Sequence, residues 1–180
     1  MVSEAALLGA LAVAVAGQRL SELQLARRNA AWARARGARE FGARHYPAFF
    51  VLHGGWLVAW VVEAWRAGPR LVAPGWLVVF LVALGLRAAA IAALGPRWNT
   101  RILVLPGAAP VRRGPYRALR HPNYVAVVLE LAALPLAFGA VGTAVIAGAL
   151  NLSLLLCVRI PAEEEALAWA EGMSRRTGGW

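Results

Sequence analysis

Residues 114–124 read GPYRALRHPNY, and the chain on either side is mostly Ala, Leu and Val. With Arg113, the stretch gathers three arginines, a histidine, two prolines and two tyrosines. Each proline disfavours helix at the residue before it, so Gly114 and His121 are breakpoints. Pro122 in turn suits the first position of a helix, where a missing N–H costs nothing. The stretch therefore divides two apolar segments and opens the second of them. It is either a basic loop that sets topology or a site that holds a ligand.

Composition narrows the choice. The chain has 180 residues, 60% of them hydrophobic, and a mean hydropathy of +0.58, too apolar for an ordinary soluble domain. The net charge is +10, and all 19 basic residues are arginine, with no Lys and no Asp. These arginines flank apolar runs, a pattern that fits membrane topology and gives no reason to expect nucleic acid as a partner. The single Cys157 offers neither a disulfide framework nor a Cys-based metal site, and no metal is expected.

The pattern predicts an all-α integral membrane protein of about five transmembrane helices. The spans are about 2–20, 46–65, 71–94, 123–139 and 140–160, within a single domain over 1–180. The first has a fully apolar core of only 13 residues, 5–17, and the fourth is also short for a crossing. Ala14-Val15-Ala16 resembles a signal-peptide cleavage site, but Glu4 and the lack of a basic residue before the apolar run argue against one. The very short connection near Gly139–Gly142 makes spans four and five a tight antiparallel hairpin. Segment 19–45 holds seven arginines, 95–123 six, the C-terminal end three, and the 66–70 loop only two. Five spans put the three rich segments on one side. The positive-inside rule makes that side cytoplasmic, with the N-terminus outside and the C-terminal segment 161–180 in the cytoplasm.

Polar residues inside the spans are costly in lipid and mark partners or function. His53, Arg87, Glu130 and Asn151 each lie roughly 10 Å or somewhat more from the cytoplasmic end of their span. One reading is a structural network, with Arg87 paired to Glu130 and the Asn151 amide bridging helices. The other is a polar floor for a pocket open to the cytoplasm. Glu63 and Arg66, near the opposite face, are expected to snorkel.

On the cytoplasmic side, the helix start at Pro122 is ringed by Arg117, Arg120 and His121, which suits a carboxylate or phosphate. A second cluster, RIPAEEEAL at 159–167, follows span five. Arg159 and Glu163 share a helix face there if the helix continues through Pro161. Basic and acidic clusters on one face suit a zwitterionic ligand with an added positive charge.

The pair GPYRxxRHPNY and RIxxEExxL, separated by a helical hairpin, resembles the isoprenylcysteine carboxyl methyltransferase family of membrane methyltransferases. QRLSEL, ARRN, EFGARHYP and LGPRWNTR resemble its bacterial, polyketide-associated branch. The resemblance covers the chain to about residue 167. It implies S-adenosylmethionine held under a cytoplasmic lid, contacted by Tyr116, His121, Pro122, Asn123, Tyr124 and Glu163 or Glu164, with Arg120 beside them. It implies Arg159 facing the acceptor; Arg87, His53 and Asn151, from their depth in the spans, are expected on the substrate side. The sequence departs from the eukaryotic enzymes at Ala108-Ala109-Pro110-Val111, where they carry H-x-L-V. It departs again in AWAEGMSRRTGGW, which replaces an aromatic tail and implies a lid closed differently.

The implied reaction is methyl transfer to an oxygen of a lipophilic acceptor, an alkylpyrone or alkylresorcinol type of lipid or a prenylcysteine carboxylate, in the bacterial cytoplasmic membrane. Such transfer depends on positioning and needs no metal. A carboxylate needs no base, whereas a phenol or enol must lose a proton, with His121, Glu130 and Glu163 as candidates. Arg159 would stabilise an anionic acceptor, and membrane lipids are the remaining partners. Two other readings stay open: a phospholipid N-methyltransferase, and a non-catalytic membrane component or small transporter using the buried Arg and Glu.

Overall fold

A computed structural model describes residues 3–177, with side chains described through Met173. Helix α1 (Glu4–Arg34) is capped by Ser3, whose Oγ accepts from the Ala6 N–H at 3.1 Å. It does not stop near residue 20 as expected. Residues 21–34 contain no Gly or Pro and are mostly strong helix formers, so the helix continues beyond its apolar part. Glu22 and Asn29 are thereby carried on a helix and buried.

The remaining helices are α2 (Tyr46–Arg66), α3 (Gly75–Leu94), α4 (Pro122–Ala137), α5 (Val141–Leu154) and α6 (Ile160–Thr177). Segments Glu4–Arg34, Ala43–Arg66, Gly75–Arg97 and Val141–Met173 are long and apolar enough to cross a membrane, and Pro122–Ala137 is a shorter apolar helix. Val13, Val51, Val58, Leu81, Val145 and Ile146 are exposed on the outside, as lipid-facing side chains are. Inside, Leu8, Trp56, Trp60, Leu131, Leu134 and Phe138 form the centre of one apolar core.

Without water, each backbone group freed by a helix irregularity needs a partner. Pro135 inside α4 has no N–H for the Leu131 carbonyl, and the indole Nε1 of buried Trp56 donates to that oxygen at 3.0 Å. The carbonyl of Ala137 accepts from the Val72 and Ala73 N–H groups at 3.0 and 3.2 Å. Glu63 does not snorkel. Its carboxylate accepts from the Gly142 and Thr143 N–H groups and the Thr143 hydroxyl at 2.9, 2.7 and 2.6 Å, capping the start of α5.

At the opposite end, short strands β1 (Arg39–Phe41) and β2 (Ile102–Val104) pair antiparallel, with Glu40 opposite Leu103. Helix α6 packs on both strands, and Trp169 lies 5.6 Å from Phe41, ring centre to ring centre, with Arg39 over both rings. Trp169 belongs to the segment that departs from the family's tail, so the tail is anchored on the strand pair. Residues 178–180 of that tail lie outside the described residues.

Three buried charges, Glu22, Arg87 and Glu130, and the half-buried Arg19 join α1, α3 and α4. Arg87 binds Glu22 through Nε and Nη2 at 2.6 and 2.5 Å, and Arg19 binds Glu130 at 2.6 Å. Arg19 also reaches Glu22 at 3.4 Å, and Arg87 approaches Glu130 at 3.7 Å. The expected Arg87–Glu130 pair is thus the longest edge of a quartet whose other two members come from α1. Asn151 on α5 stands against the His53 side chain of α2, so its amide links two helices, though not to the charge quartet. Removing one charge leaves the others uncompensated, whereas removing an opposite pair does not. Arg87→Leu should therefore cost about 3–5 kcal/mol in unfolding experiments in detergent, and the double variant Glu22→Leu/Arg87→Leu should recover most of that loss.

Candidate active site

Three segments converge at the strand-pair end. The first is Trp98–Arg101, held against α1 by the Asn29 side-chain amide donating to the Trp98 carbonyl at 2.7 Å and by Asn99 donating to the Ala26 carbonyl at 2.9 Å. The Asn99 carbonyl oxygen accepts from the Arg101 N–H at 2.9 Å, a local turn that fixes the loop. Arg101 then binds Glu40 at 2.6 Å and lies over the Tyr46 ring at 4.2 Å.

The second segment is GPYRALRHPNY. Gly114–Arg117 forms a 3-10 turn, and Gly114 has φ +55 with its α-carbon so near Ala93 that a Cβ would stand 3.1 Å from the alanine methyl. A glycine is required there on both counts. Pro122 is the buried first residue of α4, and the His121 ring stacks on Tyr124 with centroids 5.3 Å apart.

The third segment begins where α5 gives way to a widened π-turn over Leu155–Arg159, followed directly by α6. Pro161 supplies no N–H, and the wider turn lets the helix pass through it, which re-aims Arg159 relative to an uninterrupted α-helix. Arg159 is buried. It donates from Nε to the Tyr124 hydroxyl at 3.1 Å and from Nη2 to the Thr100 carbonyl at 3.0 Å. The Tyr124 hydroxyl in turn donates to Glu163 in a short hydrogen bond. One chain of contacts therefore joins all three segments.

Two cavities meet at this chain. The outer one, about 150 Å³, is lined by Tyr116, His121 and Glu163 together with residues 97–99 and 101–105. The inner one, about 360 Å³, lies among α1–α5 and is lined by Phe49, Phe50, His53, Leu57, Arg87 and Asn151, among others. Trp98, Asn99, Asn123, Tyr124 and Arg159 line both. The Trp98 indole N–H and the Asn123 side-chain oxygen are buried at that junction without partners among the described residues. Leu20 and Phe50 line the inner cavity and are also exposed on the outside, so its mouth opens between α1 and α2.

The expected site residues separate accordingly. Tyr116, His121, Asn123, Tyr124, Glu163 and Arg159 come together, and Arg87, His53 and Asn151 line the inner cavity. Arg120 and Glu164 do not join them. Their side chains are 88% and 50% exposed, 3.9 Å apart, in an open groove on the outer surface. Glu130 is fully buried in the charge quartet and lines neither cavity. His121 lines the outer cavity alone, with Nδ1 3.9 Å from Glu163. Of Arg159, Glu130 and His121, only Arg159 lines both cavities. Burial, and then the Glu163 charge, pushes the Tyr116 hydroxyl up, so it keeps its proton at neutral pH.

Trp98, Asn99 and Glu22 are additions that sequence reasoning had not placed at a site. The available signal was WNTR, a polar and aromatic run immediately after an apolar helix.

The isoprenylcysteine carboxyl methyltransferase (ICMT) family matches residues 76–169, a segment that begins in α3 and takes in the junction, α4, α5 and most of α6. The chain belongs to this methyltransferase family. A relative, the uncharacterized protein YpbQ of Bacillus subtilis (strain 168), is 37% identical over 153 residues, covering 83% of this chain and 90% of its own. The match thus extends well outside the family segment. No solved structure gives a significant match.

The wall of the outer cavity has a pH-dependent support. Burial pushes the Glu40 carboxyl up, but hydrogen bonds and charge from Arg101 and Arg34 outweigh it and hold the group below its ordinary value of 4.5. A depressed carboxylate stabilises the fold above its unfolded pKa and loses that contribution as pH falls through the folded one. Glu40→Gln should therefore lower the melting temperature slightly at neutral pH, by about 1 kcal/mol or less in stability. The gap from the unaltered protein should close on acidification below about 4.5, as followed by thermal melts across pH.

Proposed function

We propose that this membrane protein is an S-adenosylmethionine-dependent methyltransferase acting on an oxygen of a lipophilic acceptor. The observation that carries the reading is the junction of the two cavities at Arg159 and Tyr124. The outer cavity fits the cofactor by its donor set. Glu163 offers an anion for the ammonium group, His121 and Arg101 face the same space, and Trp98 and Asn123 each bring a buried polar atom without a partner. Bound there, S-adenosylmethionine would supply a methyl group on a positively charged sulfur.

The chain's own residues then act by position and charge. Tyr124 fixes Glu163 on the cofactor side and Arg159 on the acceptor side. Arg159 has Nε and Nη2 engaged, which leaves Nη1 to face the acceptor. A guanidinium attracts a carboxylate oxygen and favours ionisation of a phenol or enol, while it repels an ammonium headgroup. That asymmetry supports an oxygen acceptor over the amine of a phospholipid. The mouth between α1 and α2 gives a lipid tail a route from the bilayer.

In this reading α4 and α5 form a hairpin and the short α4 makes a fifth crossing. The arginine-rich end, with the active site, faces the cytoplasm and the N-terminus lies outside. The acceptor is an alkylpyrone or alkylresorcinol type of lipid or a prenylcysteine carboxylate. Arg159→Ala should lower methyl transfer by at least about a hundredfold. Calorimetric binding of S-adenosylhomocysteine should change little. Loss of both together would contradict the acceptor-side role.

A further inference from the structure

A phenol or enol must give up a proton as its oxygen is methylated, and none of the three bases expected from the sequence stands on the acceptor side. Glu130 lines neither cavity, and His121 and Glu163 line the outer one alone. Among the residues that line the inner cavity, only Glu22 and His53 carry a carboxylate or an imidazole. The Arg87 guanidinium holds both oxygens of Glu22 at 2.6 and 2.5 Å, and Gln18 and Arg19 add further bonds. The lone pairs of that carboxylate are therefore committed. His53 remains.

The helices aim His53 at the acceptor. On α2, Phe49 and His53 both line the cavity and lie one turn apart, about 6 Å along the axis. The Arg159 guanidinium stands 5.9 Å from the centre of the Phe49 ring. Helix α2 begins at the strand-pair end, and helical side chains lean toward the N-terminus, so the imidazole leans toward Arg159. Arg159 follows α5, which runs the opposite way, and the same lean carries its guanidinium inward. An oxygen between the two groups reaches both, directly or through one water. Asn151 stands against the His53 side chain from α5. An amide oxygen that accepts from one ring N–H leaves the other ring nitrogen with a free lone pair, the form a base requires. The charges that face the imidazole are Arg19 and Glu22 of α1 and Arg87 of α3, and these are bound within the quartet.

Resting on the methyltransferase reading, we propose that His53 is the base that takes the acceptor's proton and that Asn151 orients its ring. The acceptor O–H bond breaks, and the proton passes to the free ring nitrogen. The oxygen's electron pair forms the bond to the methyl carbon, while the pair of the broken carbon–sulfur bond stays on sulfur. Arg159 offsets the negative charge that builds on the oxygen in between. With the ether formed, the proton leaves the imidazole for solvent and the site is restored.

The test compares the unaltered full-length protein with His53→Gln in lipid nanodiscs, because glutamine keeps a polar contact for Asn151 but takes up no proton. The acceptors are long-chain alkylphenols, from unsubstituted ones that ionise at about pH 10 to nitrated ones already ionised at neutral pH. His53→Gln should slow single-turnover methyl transfer about a hundredfold with the unsubstituted phenol, and about threefold or less with the nitrated one, which has no proton to lose. A loss of equal size across the series, as a purely structural role would give, overturns the inference. So does an unchanged rate, or transfer that reaches carboxylates and no phenol.

A second readout needs no cofactor. The chain has three histidines, and nitrogen NMR of the histidine-labelled protein reports their rings separately. The His53 signal is identified by its loss in His53→Gln, or by elimination with His45→Gln and His121→Gln. It should move when the unsubstituted alkylphenol is added and stay in place with the corresponding methyl ether. Movement with neither, or with both alike, overturns the inference. The two levels separate cleanly. A signal that moves with the phenol in a protein that methylates no lipid overturns the methyltransferase reading and leaves His53 as the group that meets the hydroxyl. Methyl transfer with a uniform loss in His53→Gln overturns the role of His53 alone.

Discussion

The contacts from Thr100 through Arg159 and Tyr124 to Glu163 are what make two cavities into one site. Thr100 belongs to the loop after α3, Tyr124 to the first turn of α4, and Arg159 and Glu163 to the turn and helix that follow α5. A guanidinium can satisfy several acceptors in fixed directions, and a phenol can accept from one side and donate to the other. Tyr124 does both, so the carboxylate faces the outer cavity and the guanidinium the inner one. The π-turn before Pro161 belongs to the same device, because it sets the direction in which Arg159 leaves the helix.

The surrounding helices are held by the exclusion of water. Glu63 caps α5 from α2, Trp56 completes the carbonyl that Pro135 leaves open, and the Arg19–Glu22–Arg87–Glu130 quartet balances its own charges. Each reaches between helices distant in sequence. In water such groups could be solvated separately, but in a bilayer they must find one another. Trp98 and Asn123, which line both cavities, each keep a buried polar atom without a partner among the described residues.

Much of this was legible before the structure. Apolar runs and Pro122 placed α2, α3 and α4 closely, since hydrophobicity and proline act locally. GPYRALRHPNY and RIPAEEEAL brought Tyr124, Arg159 and Glu163 into one argument, because their types and order carry the family resemblance. The length of α1 was missed: the apolar text ends near residue 20, while helix propensity continues through the charged residues that follow. That error moved Glu22 off a helix and left Arg87 with Glu130 as its apparent partner. Arg120 and Glu164 were misplaced for another reason. Neighbours in a motif need not share a direction, and a turn or helix face sends one side chain into the cavity and the next into solvent. The role of Glu63 was beyond reach, because its surroundings depend on which helices pack together.

The most direct measurement is transfer of a labelled methyl group from S-adenosylmethionine to total bacterial lipid by the purified protein in lipid bilayers, with the product identified by mass spectrometry. The account predicts a single class of product methylated on oxygen, a methyl ether or methyl ester of a long-chain lipid. Label on the nitrogen of a phospholipid headgroup, or no labelled lipid from protein shown to be folded, would contradict it.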